Sequence, residues 1–224
     1  MLKLRNFILI FLVMGGTLLF SGCLNRQSPA EEMFEKLEKV VEIEQTFEDQ
    51  QKPLVQLEKQ EKELYGQIIE MNLQEYDKVV QLADEAISIS KKRNELLDLE
   101  RKSIEESQAE FEQVPEIYAK IDDLQLKEQA KGLNDLMQER YRTHEKLYES
   151  YVAGLGYDIE LYNMFKNEEV TVDQLGEQIN KVNAAYEEVL SANDQFNQLT
   201  DQYNEKKYQF YQAAGLNVET NGAK

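Results

Sequence analysis

Apolar residues recur at three- and four-residue intervals from about residue 31 almost to the end of the chain, the spacing that puts them on one face of an α-helix. The last stretch shows this most plainly. Val172, Leu175, Ile179, Val182, Tyr186, Val189, Phe196, Leu199, Tyr203 and Phe210 form one stripe, and Asn193 occupies a stripe position. Thr171 and Gln174 have the spacing of a capping box, Asp173 and Glu177 suit the positive helix end, and Gly215 suits the left-handed residue past the C-terminus. This predicts a helix over about 172–214. Upstream, Ile117, Ile121, Leu124, Leu133, Leu136, Leu147, Tyr151, Leu161 and Phe165 predict a helix over about 116–165, with Pro115 in its first turn. Gly154 and Gly156 mark either a bend in it or a close helix contact. Tyr76, Val80, Ala83, Ile87, Leu97, Ile104 and Phe111 define another helix, whose start is placed at Asn72 by its spacing to Glu75. A tight turn near 71–73 separates it from a first helix over about 31–70, through Met33, Leu37, Val40, Phe47, Leu54, Leu57, Leu64 and Ile68. Pro53 is expected to kink that first helix; a complete break there would give a different hairpin arrangement.

At ~1.5 Å per residue each of the four segments reaches ~60 Å or more. Near-equal lengths and short connectors predict an all-α fold, an elongated four-helix up-and-down bundle, antiparallel and coiled-coil-like, with both chain ends at one end of the rod. The bundle is placed at 31–215, followed by a flexible tail at 216–224. Ten Gly, three Pro and no Trp agree with helix rather than sheet. Ser90, Asn94 and Asn193 lie near the seams, where they either fix register or mark where the seam meets solvent. With one cysteine no intrachain disulfide is available, and the bundle must be stable by packing alone.

The first 30 residues are of another kind. Lys3 and Arg5 precede an apolar run from Phe7 to Phe20, 14 residues, which is short of the ~20 a membrane span needs and suits the core of a signal peptide. Ser21, Gly22 and Cys23 follow. Leu19-Phe20-Ser21-Gly22-Cys23 resembles a bacterial lipobox, in which Leu usually stands where this chain has Phe20. The resemblance implies a signal peptide over 1–22, cleavage between Gly22 and Cys23, a diacylglycerol thioether on Cys23, and a linker over 23–30. An uncleaved anchor helix and a buried free cysteine are the competing readings. The formal charge is −18, and removal of residues 1–22 leaves 23 basic against 43 acidic residues, or −20. Such a body repels phosphate backbones and anionic lipid, which argues against nucleic acid as a partner and leaves membrane attachment to the covalent lipid.

Little in the chain points to catalysis. His144 is the only histidine; it stands beside Thr143 and Glu145 with no GxSxG serine, and reads as a structural or surface residue. No HExxH, GxxxxGK[ST] or GxGxxG pattern is present, so no catalytic, metal or cofactor-binding residue is assigned. The chain is expected not to be an enzyme and to use no cofactor. Acid pairs such as Glu105-Glu106, Asp122-Asp123 and Glu187-Glu188 read as solvated helix faces. A carboxylate-and-tyrosine groove with perturbed acidities would instead point to a hydrolase. Tyr148, Tyr151, Tyr157 and Tyr162 crowd one helix. They form a contact surface for a glycan or protein on one reading, and bundle packing with hydroxyls at the solvent edge on the other.

Several strings resemble a known family: the lipobox at Cys23, Gln51-Lys52-Pro53-Leu54, the run Leu64 to Ile69, the run Glu75 to Ala86, and Glu160-Leu161-Tyr162. In order and spacing they are similar to the YkyA-like cell-wall-binding lipoproteins of Gram-positive bacteria, over roughly 30–214. The resemblance implies a four-helix bundle on the outer face of the cytoplasmic membrane, facing the wall, and transfers no binding residue. The resulting expectation is a non-catalytic cell-wall-binding or scaffold module. It is anchored to the membrane by lipid, with peptidoglycan or an envelope protein as partner. A peptidoglycan-modifying enzyme or an accessory subunit of a membrane complex is the alternative.

Overall fold

Helix α1 (Pro29–Glu70) starts slightly earlier than its apolar stripe suggests. Ser28 caps it: the Glu31 amide donates to Ser28 Oγ (3.2 Å) and the Ser28 amide to Glu31 Oε2 (2.7 Å), a capping box with Pro29 in the first turn. The helix runs unbroken through Pro53, which excludes the hairpin arrangement that a break there would make. Pro53 lies on the exposed face, where water can serve the carbonyl left without an N–H partner. The structure is a computed structural model describing residues 27–71 and 75–216, so Gly22, Cys23, Asn72 and the residues from 217 on lie outside the described part.

Helix α2 (Tyr76–Phe111) is followed by a five-residue helix, α3 (Val114–Tyr118), and then by α4 (Leu124–Phe165). The single helix expected over 116–165 is therefore divided. Pro115 does sit in a first turn, but of α3. The chain leaves the helix after Tyr118, and Asp123 starts the next one by accepting from the Leu126 amide at 2.8 Å. Ile117 and Ile121 are both buried, whereas Leu124 is 79% exposed. The apolar spacing 117–121–124 thus imitates a helical stripe while spanning a corner. Helix α5 (Val172–Ala213) carries the predicted capping box at Thr171 and Gln174. It ends at Gly215, whose φ of +71° lets the Leu216 amide turn back to the Tyr211 carbonyl at 3.0 Å.

The long helices alternate in direction. α1 packs along α2, α4 along α5, and α2 against α4. A Lys120–Glu32 contact (3.4 Å) and the Phe34–Tyr211 ring pair (centroids 4.8 Å) bring the start of α1, the corner after α3 and the end of α5 to one end, here the base. At the opposite end, the tip, the Tyr76 hydroxyl donates to the Lys166 carbonyl (2.5 Å) and Lys166 pairs with Asp84 (2.8 Å). The predicted up-and-down bundle is the observed one.

Most of the apolar burial is at the base, among Met33, Leu37, Phe47, Phe111, Leu133, Phe196 and Phe210. Smaller clusters form around Leu54, Leu97, Leu155 and Val189, and at the tip around Leu64, Ile68, Leu82 and Ala83. Gly154 makes the close contact: a Cβ there would sit 3.4 Å from the Tyr186 ring. Gly132, inside α4, has open space around it. Gly132→Ala is expected to stabilise the bundle by about 1 kcal/mol through helix propensity, read as a raised midpoint in urea unfolding.

Candidate functional site

Two of the four long helices do not stay together. At the base α1 and α5 meet through Phe34–Tyr211, Phe47–Phe196 (centroids 5.7 Å) and Lys207–Glu38 (3.1 Å). Further up, a groove of about 300 Å³ opens between residues 51–65 of α1 and 179–193 of α5. That is the lower end of the size range of small-ligand sites. α2 supplies Arg93, Leu97 and Glu100 to its lining, and α4 supplies Leu147, Tyr151, Asp158 and Leu161. The groove explains why Ile179, Val182 and Tyr186, all on the predicted α5 stripe, are only half-buried. They face the groove instead of a neighbouring helix.

A buried guanidinium organises the floor. Arg93 Nη1 donates to Glu61 Oε2 (2.5 Å) and lies 3.8 Å from Asp158, while Nη2 donates to the Tyr151 hydroxyl (2.7 Å) and lies 3.6 Å from Glu58. Its carbon sits over the Tyr151 ring at 5.1 Å and the Tyr186 ring at 5.7 Å. The Ser90 hydroxyl donates to Glu61 (2.9 Å), Tyr151 donates to Glu58 and Tyr186 donates to Asp158. Burial disfavours the charge of Arg93, but Tyr151, Tyr186, Glu61 and Glu58 together hold its pKa well above the usual guanidinium value. Asp158 is raised above the usual carboxylate range, first by burial and then by the charge of Glu61. Glu100, two turns along α2 from Arg93, is pushed up to about 8 by burial and by Glu58. Its only hydrogen bond in the groove is from Gln51 Nε2, at 2.7 Å.

A second polar layer crosses the bundle nearer the base, below the groove. Arg140 Nη1 and Nη2 donate to the two oxygens of Glu44, each at 2.8 Å, and Nε donates to the Thr200 hydroxyl at 2.9 Å. The Ser107 hydroxyl donates to Glu44 (2.6 Å) and lies 2.8 Å from the Tyr141 hydroxyl. Every long helix contributes to this layer, as every one contributes to the layer around Arg93. Between the layers lies His144, buried edge-on to Phe47 and tilted against Phe196. Burial, with the nearby charges of Arg140 and Arg101, lowers it to about 3. His144 is thus a neutral core residue, and the surface half of its sequence reading is corrected.

The tyrosine surface is divided in the same way. Tyr151 (5% exposed) and Tyr162 (3% exposed) belong to the interior, and only Tyr157 (37%) is an exposed contact candidate. Tyr148 is half-buried, donates to Asp98 at 2.7 Å and stacks under Arg101 (4.6 Å). As a patch the four do not exist: α4 turns 151 and 162 inward and 157 outward. Tyr148, Tyr151 and Tyr162 nonetheless line the groove. Glu105, Glu106, Asp122, Asp123, Glu187 and Glu188 are exposed, in line with solvated faces. Among the described residues no group of three or more His, Cys, Asp or Glu is placed to hold a metal, and no helix is long and apolar enough to cross a membrane.

Comparison with known proteins bears on identity. Residues 28–213 match the YkyA family, described as "Putative cell-wall binding lipoprotein". The chain belongs to this family. It is 35% identical over 202 residues to the uncharacterized lipoprotein YkyA of Bacillus subtilis (strain 168), covering 90% of each chain. The fold is also similar to the crystal structure of a conserved protein of unknown function from Staphylococcus aureus. That similarity has a TM-score of 0.72 and 14% identity, over 84% of this chain and 97% of that one. The family is one of lipoproteins, so membership places the protein at the membrane-anchored cell surface.

Proposed function

We propose that the protein is a non-catalytic binding module held on the outer face of the cytoplasmic membrane, presenting the α1–α5 groove to a component of the cell wall. Cleavage between Gly22 and Cys23 and acylation of Cys23 would supply the anchor. The observation that carries the reading is the groove itself: a lined opening in the side of a rod that is packed shut at its base. The five residues between Cys23 and Pro29 span at most about 18 Å, so the base stays near lipid. Counting helix rise from Pro29, the groove lies roughly 30–55 Å up the rod. A peptidoglycan pull-down with residues 25–224 at physiological salt tests this, with an unrelated acidic helical bundle as control. Saturable retention above the control, lost when Val182→Trp fills the groove, is expected. Absence of retention would sink wall binding and leave a membrane protein partner as the reading.

The raised carboxyls of Glu100 and Asp158 favour one other reading, a peptidoglycan-modifying enzyme. Glycoside hydrolysis needs two available carboxyls on either side of the scissile bond. Glu58, Glu61 and Asp158 are each engaged by Arg93 or by a tyrosine hydroxyl. Glu100 has no such engagement but also no second carboxyl to work with, which supports binding over cleavage. Release of soluble muropeptides by the purified protein, abolished by Glu100→Gln, would reverse this choice.

A further inference from the structure

Arg93, Leu97 and Glu100 stand at i, i+4 and i+7 on α2, so one face of that helix runs along the groove with a polar group at each end and leucine between. The two ends are incomplete in opposite senses. Glu100 is a buried carboxyl with a Gln51 amide as its hydrogen-bond partner and no cation paired to it. Arg93 is buried, and its Nε–H has no hydrogen-bond partner although both Nη groups are engaged. A buried carboxyl without a cation and a buried donor without an acceptor are both costly, and each is relieved by one kind of ligand group. Leu54 and Val189 add to the apolar wall between them. The groove is lined by four carboxyls, Glu58, Glu61, Glu100 and Asp158, and by two cationic side chains, Arg93 and the exposed Lys62.

We propose that this groove binds a lysine-type side chain of a peptide, with the ammonium at Glu100, the aliphatic stem along Leu97 and Leu54, and a peptide carbonyl accepting from Arg93 Nε. Two helical turns separate the ends, a rise of about 10 Å. Burial and the neighbouring Glu58 hold the Glu100 pKa up at about 8, and an ammonium beside the carboxyl would lower it and ionise the group. The inference rests on the groove being a binding site.

Isothermal titration of the full chain in nonionic detergent tests it with three probes: Nα-acetyl-L-lysine methylamide, its norleucine counterpart, and n-pentylamine. The lysine probe is expected to bind saturably and at least tenfold more tightly than either of the others. Glu100→Gln is expected to remove the preference for lysine over norleucine. Because Glu100 is largely neutral near pH 7, the isosteric amide should leave the fold intact, which the helical circular dichroism checks. Val182→Trp, which adds bulk at a half-buried groove position, is expected to abolish binding of the lysine probe without touching Glu100. Equal binding of lysine and norleucine probes, or none, overturns the proposal, and equal binding of n-pentylamine overturns the role of Arg93. Peptidoglycan retention that persists while the lysine probe fails would refute this ligand alone. Loss of retention as well would refute the wall-binding reading with it.

Discussion

Arg140→Met is expected to destabilise the bundle by about 3–5 kcal/mol, the range seen when one partner of a buried ion pair is removed. The pair with Glu44 is bidentate, at 2.8 Å on both arms, and both side chains are within a few per cent of full burial. Met fills much of the arginine stem's volume, so the loss comes chiefly from the carboxylate left behind. Ser107 would be its remaining partner in that layer. The double variant Arg140→Met/Glu44→Met removes the stranded charge and is expected to recover most of the loss, because apolar replacements of a whole buried pair are often neutral or stabilising. Urea unfolding of the single and double variants decides it. A single variant within 1 kcal/mol of the parent would show that Glu44 finds water or relaxes. A double variant as unstable as the single would mean that the pair contributes net stability itself. In the second case Tyr141, Thr200 and Ser107, which share the network, would be the residues to test next.

The second large effect is a stability window set by two buried groups that titrate in opposite senses. His144 is lowered to about 3 in the fold from an ordinary 6.5. The unfolded chain therefore takes up a proton between those values and the fold does not. Its contribution is present in full above pH 6.5 and is lost as pH falls towards 3, by up to about 5 kcal/mol. Glu100 is raised from 4.5 to about 8, so the fold holds a proton that the unfolded chain releases. Its contribution is present in full below pH 4.5 and is lost as pH rises to about 8, again by up to about 5 kcal/mol. The variants separate the two limbs. Relative to the parent, His144→Phe is expected to gain stability steadily from pH 6.5 down to pH 3, and Glu100→Gln from pH 4.5 up to pH 8. Denaturation at pH 4, 6 and 8.5 suffices. Parallel curves for parent and variant would show that neither group is shifted as its burial implies.

Much of this polar interior was written in the stripes as gaps. In α2 the apolar spacing lapses between Ile89 and Leu96, and Ser90 and Arg93 stand in the lapse. Glu100 and Ser107 fill the intervals on either side of Ile104. Glu44 and Glu61 interrupt α1 in the same manner, and Arg140, His144 and Asp158 interrupt α4. A polar residue at a stripe position is the signal, yet it does not say whether the stripe there meets a partner or solvent. Of these residues the apolar spacing places only Ser90 near a seam, and it marks neither Arg93 nor Arg140. The tyrosines show the converse. Tyr151 continues the α4 stripe, as its apolar spacing indicated, while Tyr162 sits one position off Leu161 and is buried because the tip closes over it.

Local chemistry was enough for the helices themselves. Apolar periodicity, the Thr171–Gln174 box, Gly215 and the scarcity of breakers act within a few residues of chain, so the all-α class, the antiparallel order and the ends of α5 could be read from the sequence. The division at Lys120–Asp122 was harder, because a buried Ile121 can satisfy helical spacing from a corner that only the packed base requires. The groove was beyond reach altogether. Whether α1 and α5 touch depends on the summed geometry of four long helices: large aromatics draw them together at the base, while a guanidinium and its carboxyls occupy the floor further up. The sequence specifies which residues face inward on each helix. Tertiary packing alone decides which inward faces find one another and which are left lining a cavity, because contact between helices distant in the chain depends on where every other helix has been placed.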